Sequence, residues 1–290
     1  MSEAPDPRVT PWRPDLAASA LRGRLKAHTY ADGEARAVQA SLAPLRTAPD
    51  DRAPLASEAL HGEVVTVFED RDGWAWGQLS CDGYVGYLPS RLLAPVSAPA
   101  THRVSRLRTF RYAAPDLKAP VLGWASLNAP LAVASVEGDY ARLADGEFVF
   151  ARHIAPAGER AGDFVAVAEW FAATPYLWGG RTSLGLDCSA LVQQSLTAAG
   201  IACPRDSDMI EKAVGLPLDR ASPQRDLRRG DLLFWRGHCA IMVSGRDLVH
   251  ANAHHMATVI EPAAEAIGRV AAASGPVTGC RRIADYGLTG

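Results

Sequence analysis

One cysteine, two histidines and a glycine-punctuated loop are the residues of this chain best suited to chemistry. Cys188 follows the run Trp178-Gly179-Gly180-Arg181-Thr182-Ser183-Leu184-Gly185-Leu186-Asp187, which delivers a single thiol to what reads as the first turn of a helix, with Asp187 as its N-cap. Backbone N–H groups at a helix N-terminus stabilise negative charge, so a cysteine placed there titrates low and offers a thiolate near neutral pH. Such a nucleophile needs a base, and the base needs a group that fixes its ring. His238 heads the apolar run His238-Cys239-Ala240-Ile241-Met242-Val243, and His250 ends the next one, Asp247-Leu248-Val249-His250, across the turn Ser244-Gly245-Arg246-Asp247. If the two runs pair even positions with even, both rings project from one face, although the sequence itself leaves that register open. One histidine then takes the thiol proton while the other orients it. A lone strand histidine or a lone buried cysteine is more often structural, so the weight lies on the three occurring together.

The elements that must hold these residues can be read in outline. Phe164 to Ala173 carries apolar residues at helical spacing and ends before Pro175, while a second helix runs from Cys188 to about Ala199 and stops at Gly200. Strands follow at Asp231 to Trp235, Cys239 to Val243, Leu248 to Asn252 and Gly279 to Ile283, giving residues 160–290 an α+β character. Ahead of them lies an internal repeat. Leu45-Arg46-Thr47-Ala48-Pro49 with Ala53-Pro54 is echoed by Phe110-Arg111-Tyr112-Ala113-Ala114-Pro115 with Ala119-Pro120. Each start precedes a β-rich run (Glu63 to Phe68; Leu131 to Val136), a Gly-aromatic strand (from Gly73 and from Gly138) and a last aromatic strand closing on Pro89-Ser90-Arg91-Leu92 or Ala151-Arg152-His153-Ile154. Short strands at this spacing predict two small β-barrels over residues 41–96 and 103–157, joined through the Ala/Pro stretch Ala94 to Ala100. Residues 1–40 form an N-terminal segment in which Leu16 to Lys26 reads as a short helix.

Composition narrows the function class. With 290 residues, 48% hydrophobic and 21% charged, and a net charge of −2, the chain fits two or three globular domains and lacks the basic character of a nucleic-acid binder. No apolar run approaches a membrane span, and the opening residues Met1 to Arg8 show no basic segment leading into an apolar core. Five cysteines, at 81, 188, 203, 239 and 280, lack CxxC spacing, which speaks against a disulfide framework or zinc knuckle and for a reducing cytoplasm. His250, His254 and His255 cluster without a convincing set of metal partners.

Taken together, Asp187-Cys188-Ser189 opening a helix, then Arg229-Gly230-Asp231-Leu232-Leu233-Phe234-Trp235, then His238 heading an apolar strand and His250-Ala251 after it, resemble the NlpC-type family of papain-like cell-wall cysteine peptidases. The repeat resembles bacterial SH3-like (SH3b) modules. The resemblance implies two small SH3-like β-barrels followed by an α+β papain-like peptidase domain. It also implies Cys188 as nucleophile, His238 as general base and His250 as the polar residue that orients His238, with amide hydrolysis through an acyl-enzyme and no metal or cofactor. Two SH3b modules ahead of such a domain resemble the γ-D-glutamyl-L-diamino acid endopeptidases of murein-peptide recycling, whose substrate is a stem-peptide fragment, L-Ala-γ-D-Glu-diamino acid, with a free N-terminal L-Ala.

A free ammonium calls for carboxylate or aromatic partners. The resemblance puts Asp187, Ser189, Asp206 and Ser207 at the substrate, makes Trp178 an apolar wall, and brings Glu63 and Tyr84 from the first module to close the pocket. Each has a plainer alternative: Asp187 as a helix cap, Ser189 as a first-turn residue, Tyr84 as barrel core, Glu63 as an exposed strand residue with Glu58 nearby, and Asp206 and Ser207 as turn formers. Ala190 stands where the family usually has glycine, and Cys239 and Ala240 where it has valine and glycine. Two other functions stay open: a cell-wall peptide-binding SH3b protein with an inactive peptidase scaffold, and an amidase or acyltransferase of the same fold. Oligomeric state and the preferred diamino acid, lysine or diaminopimelate, are not written in the sequence.

Overall fold

The computed structural model describes residues 5–218 and 226–283. It divides into two compact units, Met1–Ala157 and Gly158–Gly290.

The first unit is built of strands. Its seven-stranded sheet runs in the order Leu55–Leu60, Leu42–Arg46, Val85–Pro89, Trp74–Leu79, Val64–Arg71, Glu34–Val38, Leu93–Pro95. Inward positions alternate along the strands and supply Val38, Leu45, Val65, Val67, Ala75, Leu79 and Leu88 to one core, joined by Tyr84 just before the strand Val85–Pro89. Glu34–Val38 therefore enters the barrel from within the segment 1–40, pairing with both Val64–Arg71 and Leu93–Pro95. The repeat continues in the second half as a five-stranded sheet, Val121–Ser126, Arg108–Tyr112, Phe148–Phe150, Tyr140–Leu143, Val133–Glu137, beside a three-stranded one. There His102–Val104 pairs with Ile154–Pro156 as Glu34–Val38 pairs with Leu93–Pro95. Gly73 (φ +84°) and Gly138 (φ +62°) occupy the same hairpin turn in the two halves, a left-handed conformation that suits glycine.

Two expectations need correction here. Leu16 to Lys26 is not a helix: Leu16–Ala18 is a strand parallel to Thr29–Ala31, followed by a single 3₁₀ turn at Ser19–Leu21. Three consecutive buried residues at 16, 17 and 18 cannot all lie on one helix face, and Gly23 at φ +80° interrupts any longer run. The β-rich run expected from Leu131 to Val136 is broken into Pro130–Leu131 and Val133–Glu137.

The second unit carries four helices among the described residues: α1 (Phe164–Trp170), α2 (Cys188–Ala198), α3 (Ser207–Ala213) and α4 (Ala263–Ser274). Its six-stranded sheet has the order Leu216–Pro217, Gly279–Arg282, Asp231–Trp235, His238–Met242, Asp247–Asn252, Ala257–Pro262. Asp163 caps α1 by accepting from the amides of Val165 and Ala166, and the helix stops at Trp170, before Ala173 takes a left-handed φ of +65°. All but one of the residues of α2 are buried, the pattern of a helix enclosed by protein on most sides. Ala263 and Ala266 of α4 pack with Ala240, Met242 and Leu248, covering one sheet face.

Candidate active site

The turn between the two central strands is pinned by Ser244, whose Oγ accepts from the amides of Arg246 and Asp247 and donates to the Asp247 carboxylate. That turn sets the pairing Ile241 opposite Val249 and Met242 opposite Leu248, so even positions pair with even. Extending the register places Ala240 opposite His250, which makes His238 its diagonal neighbour on the same face. The two rings meet: His238 Nε2 lies 2.8 Å from His250 Nδ1, with ring centroids 5.1 Å apart. His238 is half-buried and His250 fully buried. Trp235 packs against His238 at 5.6 Å between centroids.

Cys188 opens α2 directly after its cap Asp187 and is buried. The Cys239 thiol and the His238 imidazole are the neighbours that most stabilise an anion on its sulfur. Hydrogen bonding from Cys239, then from His238, outweighs burial and draws the Cys188 thiol down to about 5, while Cys239 is pushed up by the neighbouring sulfur. The two thiols oppose each other, so a proton shared between them favours the anion on Cys188. Replacing Cys239 with alanine removes that donor. The Cys188 thiolate midpoint, followed by ultraviolet absorbance, is expected to rise by about one to two pH units, the worth of one hydrogen bond to a charged group. An unmoved midpoint would mean that Cys239 does not support the anion.

Asp187 is enclosed by donors. Its Oδ1 accepts from the Ala190 amide (2.8 Å), Ser189 Oγ (3.1 Å) and Arg205 Nη1 (2.9 Å), and its Oδ2 from the Gly179 amide (2.9 Å) and Arg205 Nη2 (2.7 Å). Arg205, 1% exposed, forms a two-pronged pair with this carboxylate and also donates to Ser189 Oγ. These contacts tie the glycine loop, the start of α2 and the segment before α3 into one buried knot. Both plainer alternatives hold at once: Asp187 caps the helix, and Ser189 is a first-turn residue bonded to it. Asp206 and Ser207 are half-buried, Asp206 at the N-cap position of α3 and Ser207 as its first residue. Trp178 projects from the loop with 68% of its surface exposed.

Glu63 and Tyr84 belong to the first unit. Tyr84 packs in the barrel core with Leu79 and Leu88, the alternative that its setting in Tyr84-Val85-Gly86-Tyr87 allowed. Glu63 is buried rather than exposed, takes the Leu60 amide on Oε2 at 2.8 Å, and lines a cleft of about 570 Å³ with His61, Arg111 and Glu147.

Residues that sequence reasoning passed over complete the second unit's site. Tyr176, two positions before Trp178, lies in the field of Cys188 and Asp187; burial, then those charges, push its phenol upward, so it stays an O–H donor. Arg205 directly precedes Asp206 and Ser207, which alone of this stretch were assigned to the substrate. Glu261 approaches His250 Nε2 at 2.6 Å. Among the described residues no group of three or more His, Cys, Asp or Glu side chains is arranged to hold a metal ion.

Residues 173–268, spanning Cys188, His238 and His250, match the NlpC/P60 family, and residues 45–93 match the bacterial dipeptidyl-peptidase Sh3 domain. The chain joins an Sh3 domain to an NlpC/P60 domain. NlpC/P60 peptidases are cysteine hydrolases. Among relatives, the dipeptidyl-peptidase 6 of Lysinibacillus sphaericus is 38% identical over 88 residues, a match that spans 30% of this chain and only 31% of that protein. The γ-D-glutamyl-L-lysine dipeptidyl-peptidase of Bacillus subtilis (strain 168) is 26% identical over 222 residues, covering 68% of this chain and 72% of the relative. A solved NlpC/P60 family protein from Bacillus cereus shares the fold, with a TM-score of 0.72 at 21% identity over 86% of this chain and 99% of that one.

Proposed function

We propose that the protein is a cysteine endopeptidase that cuts the γ-D-glutamyl-diamino acid bond of murein stem peptides carrying a free N-terminal L-Ala. The observation that carries this reading is Cys188 at the start of α2, its anion favoured by His238, which is itself bonded to His250 at 2.8 Å, inside an NlpC/P60 domain. The names of the relatives from L. sphaericus and B. subtilis support the substrate class.

In this reading Cys188 Sγ attacks the γ-carbonyl carbon of D-Glu, and the carbonyl oxygen becomes an oxyanion near the amide groups opening α2 and the Tyr176 hydroxyl. His238, having taken the thiol proton, returns it to the leaving amine as the C–N bond breaks. A thioester joins Cys188 to L-Ala-γ-D-Glu. Water then gives a proton to His238 and its oxygen to the acyl carbon, and Cys188 leaves as thiolate. His250 holds the His238 ring throughout. Trp178, Ser189, Asp206 and Ser207 line the peptide site. Because Arg205 already matches the charge of Asp187, that carboxylate shapes the site, and the substrate ammonium is left to the other groups. Residues 103–157 act as a second SH3b-like module in the same proposal. A role in recycling inside the cytoplasm suits the free thiols at 81, 188, 203, 239 and 280.

Incubation with L-Ala-γ-D-Glu-diaminopimelate is expected to release diaminopimelate, with the lysine peptide run in parallel and the N-acetylated peptide turned over at least about 10²-fold more slowly, the scale for leaving a buried polar site unpaired. Equal cleavage of the free and acetylated peptides would remove the free amino end from the specificity. Absence of any cleavage would remove the substrate.

A further inference from the structure

Glu261 stands on the strand Ala257–Pro262 opposite Leu248, while Val259 lies opposite His250. It is thus the diagonal neighbour of His250 on the same face, as His250 is of His238. Three side chains form a row across three adjacent strands. Glu261 Oε1 takes His250 Nε2 at 2.6 Å and is also bonded by Arg269 Nη2, from α4. His255 Nδ1 is 4.0 Å from the same oxygen.

Both nitrogens of His250 are therefore committed, one to His238 and one to Glu261. Burial, then the proximity of His238, push His250 down to about 4, so the ring is neutral at working pH and has one donor and one acceptor. Arg269, pairing with the same carboxylate, keeps Glu261 ionised. An ionised carboxylate only accepts, so the His250 proton must sit on Nε2. Nδ1 is then a lone pair, and His238 must donate to it from its own Nε2. That leaves Nδ1 of His238 as the nitrogen that receives the Cys188 proton. In the opposite arrangement His250 donates from Nδ1, His238 accepts at Nε2, and its single proton occupies the nitrogen that should act as base.

We propose that Glu261, held by Arg269, is a positioning residue that fixes the tautomer of His250 and, through it, the basic nitrogen of His238. The inference rests on the catalytic reading of Cys188, His238 and His250 given above. It requires an acceptor at Oε1 rather than a negative charge as such. Because Arg269 also demands an acceptor at that position, an amide in place of the carboxylate turns its oxygen, not its NH₂, toward His250.

Imidazole nitrogen NMR on the isotope-labelled full chain tests this without turnover. Wild-type His250 is expected to carry its proton on Nε2, and a proton found on Nδ1 overturns the proposal whatever the variants do. Glu261→Gln is expected to keep that tautomer and to hold kcat within about threefold on the stem peptide. Glu261→Met, close in shape but without the acceptor, is expected to populate the Nδ1–H form and to lose about 10²-fold in kcat with KM little changed. That loss lies between the 10- to 100-fold typical of a lost supporting hydrogen bond and the 10⁴-fold of a fully wrong tautomer. Wild-type tautomer and turnover in Glu261→Met, or equal losses in Met and Gln, would overturn it. Failure of the catalytic reading shows instead as unchanged turnover when Cys188 itself is replaced.

Discussion

Cys188→Ala is expected to fold as the wild type does and to retain peptide binding, while hydrolysis falls by on the order of 10⁴-fold or more, the scale set by removing the nucleophile of an acyl-transfer unit. The thiol is buried at the first position of α2, and alanine suits a helix, so little strain accompanies the change. Loss of turnover with an unchanged melting transition assigns the effect to chemistry. His238→Ala should fall by a similar factor, and the double variant no further, because nucleophile and base act as one unit. Residual hydrolysis within tenfold of wild type in Cys188→Ala would dispose of the thiol mechanism.

The largest effect on stability is expected at Arg205. Its guanidinium, 1% exposed, takes both oxygens of Asp187 at 2.9 and 2.7 Å. Arg205→Met leaves a buried carboxylate with its amide and hydroxyl donors but no countercharge, and losing one partner of such a pair costs about 3–5 kcal/mol. The double variant Arg205→Met/Asp187→Asn should recover part of that loss, because the unmatched charge is gone. Urea unfolding of the NlpC/P60 domain reads both. A loss below about 1 kcal/mol in the single variant would show that water or a neighbouring cation reaches Asp187 and that the knot is looser than its geometry. Activity should fall together with stability, since Gly179, Ala190 and Ser189 hang on the same carboxylate and flank Cys188.

Much of the candidate site was legible because each member is announced by local chemistry: a glycine loop and cap before Cys188, and histidines at the ends of short apolar runs. The hairpin register was not legible, since a turn of four residues permits more than one pairing, and the Ser244 side chain and the Val243 and Ser244 amides bonded to the Asp247 carbonyl select one. Arg205, Tyr176 and Glu261 escaped for a different reason. Their partners are 18 residues away for Arg205, 12 for Tyr176 and 11 for Glu261, and nothing in an arginine, a tyrosine or a strand glutamate signals a tertiary neighbour. The first barrel was readable from its turn residues, yet Glu34–Val38 was assigned to the leading segment because a strand that closes a sheet over a long loop leaves no short-range mark. Leu16 to Lys26 misled in the opposite direction: Ala17, Leu21 and Leu25 recur at helical spacing, yet Leu16, Ala17 and Ala18 are buried together in a strand.

His238, His250 and Glu261 ride on three neighbouring strands and touch one another diagonally, so their alignment depends on the length of the connection at Ser244–Asp247 as much as on their identity. One added amino acid in that connection would turn His250 to the opposite side of its strand and break the proton path at its middle link, with every reactive group still present in the chain. Exposed bends usually tolerate a change of length; this one sets which side of the strand His250 faces.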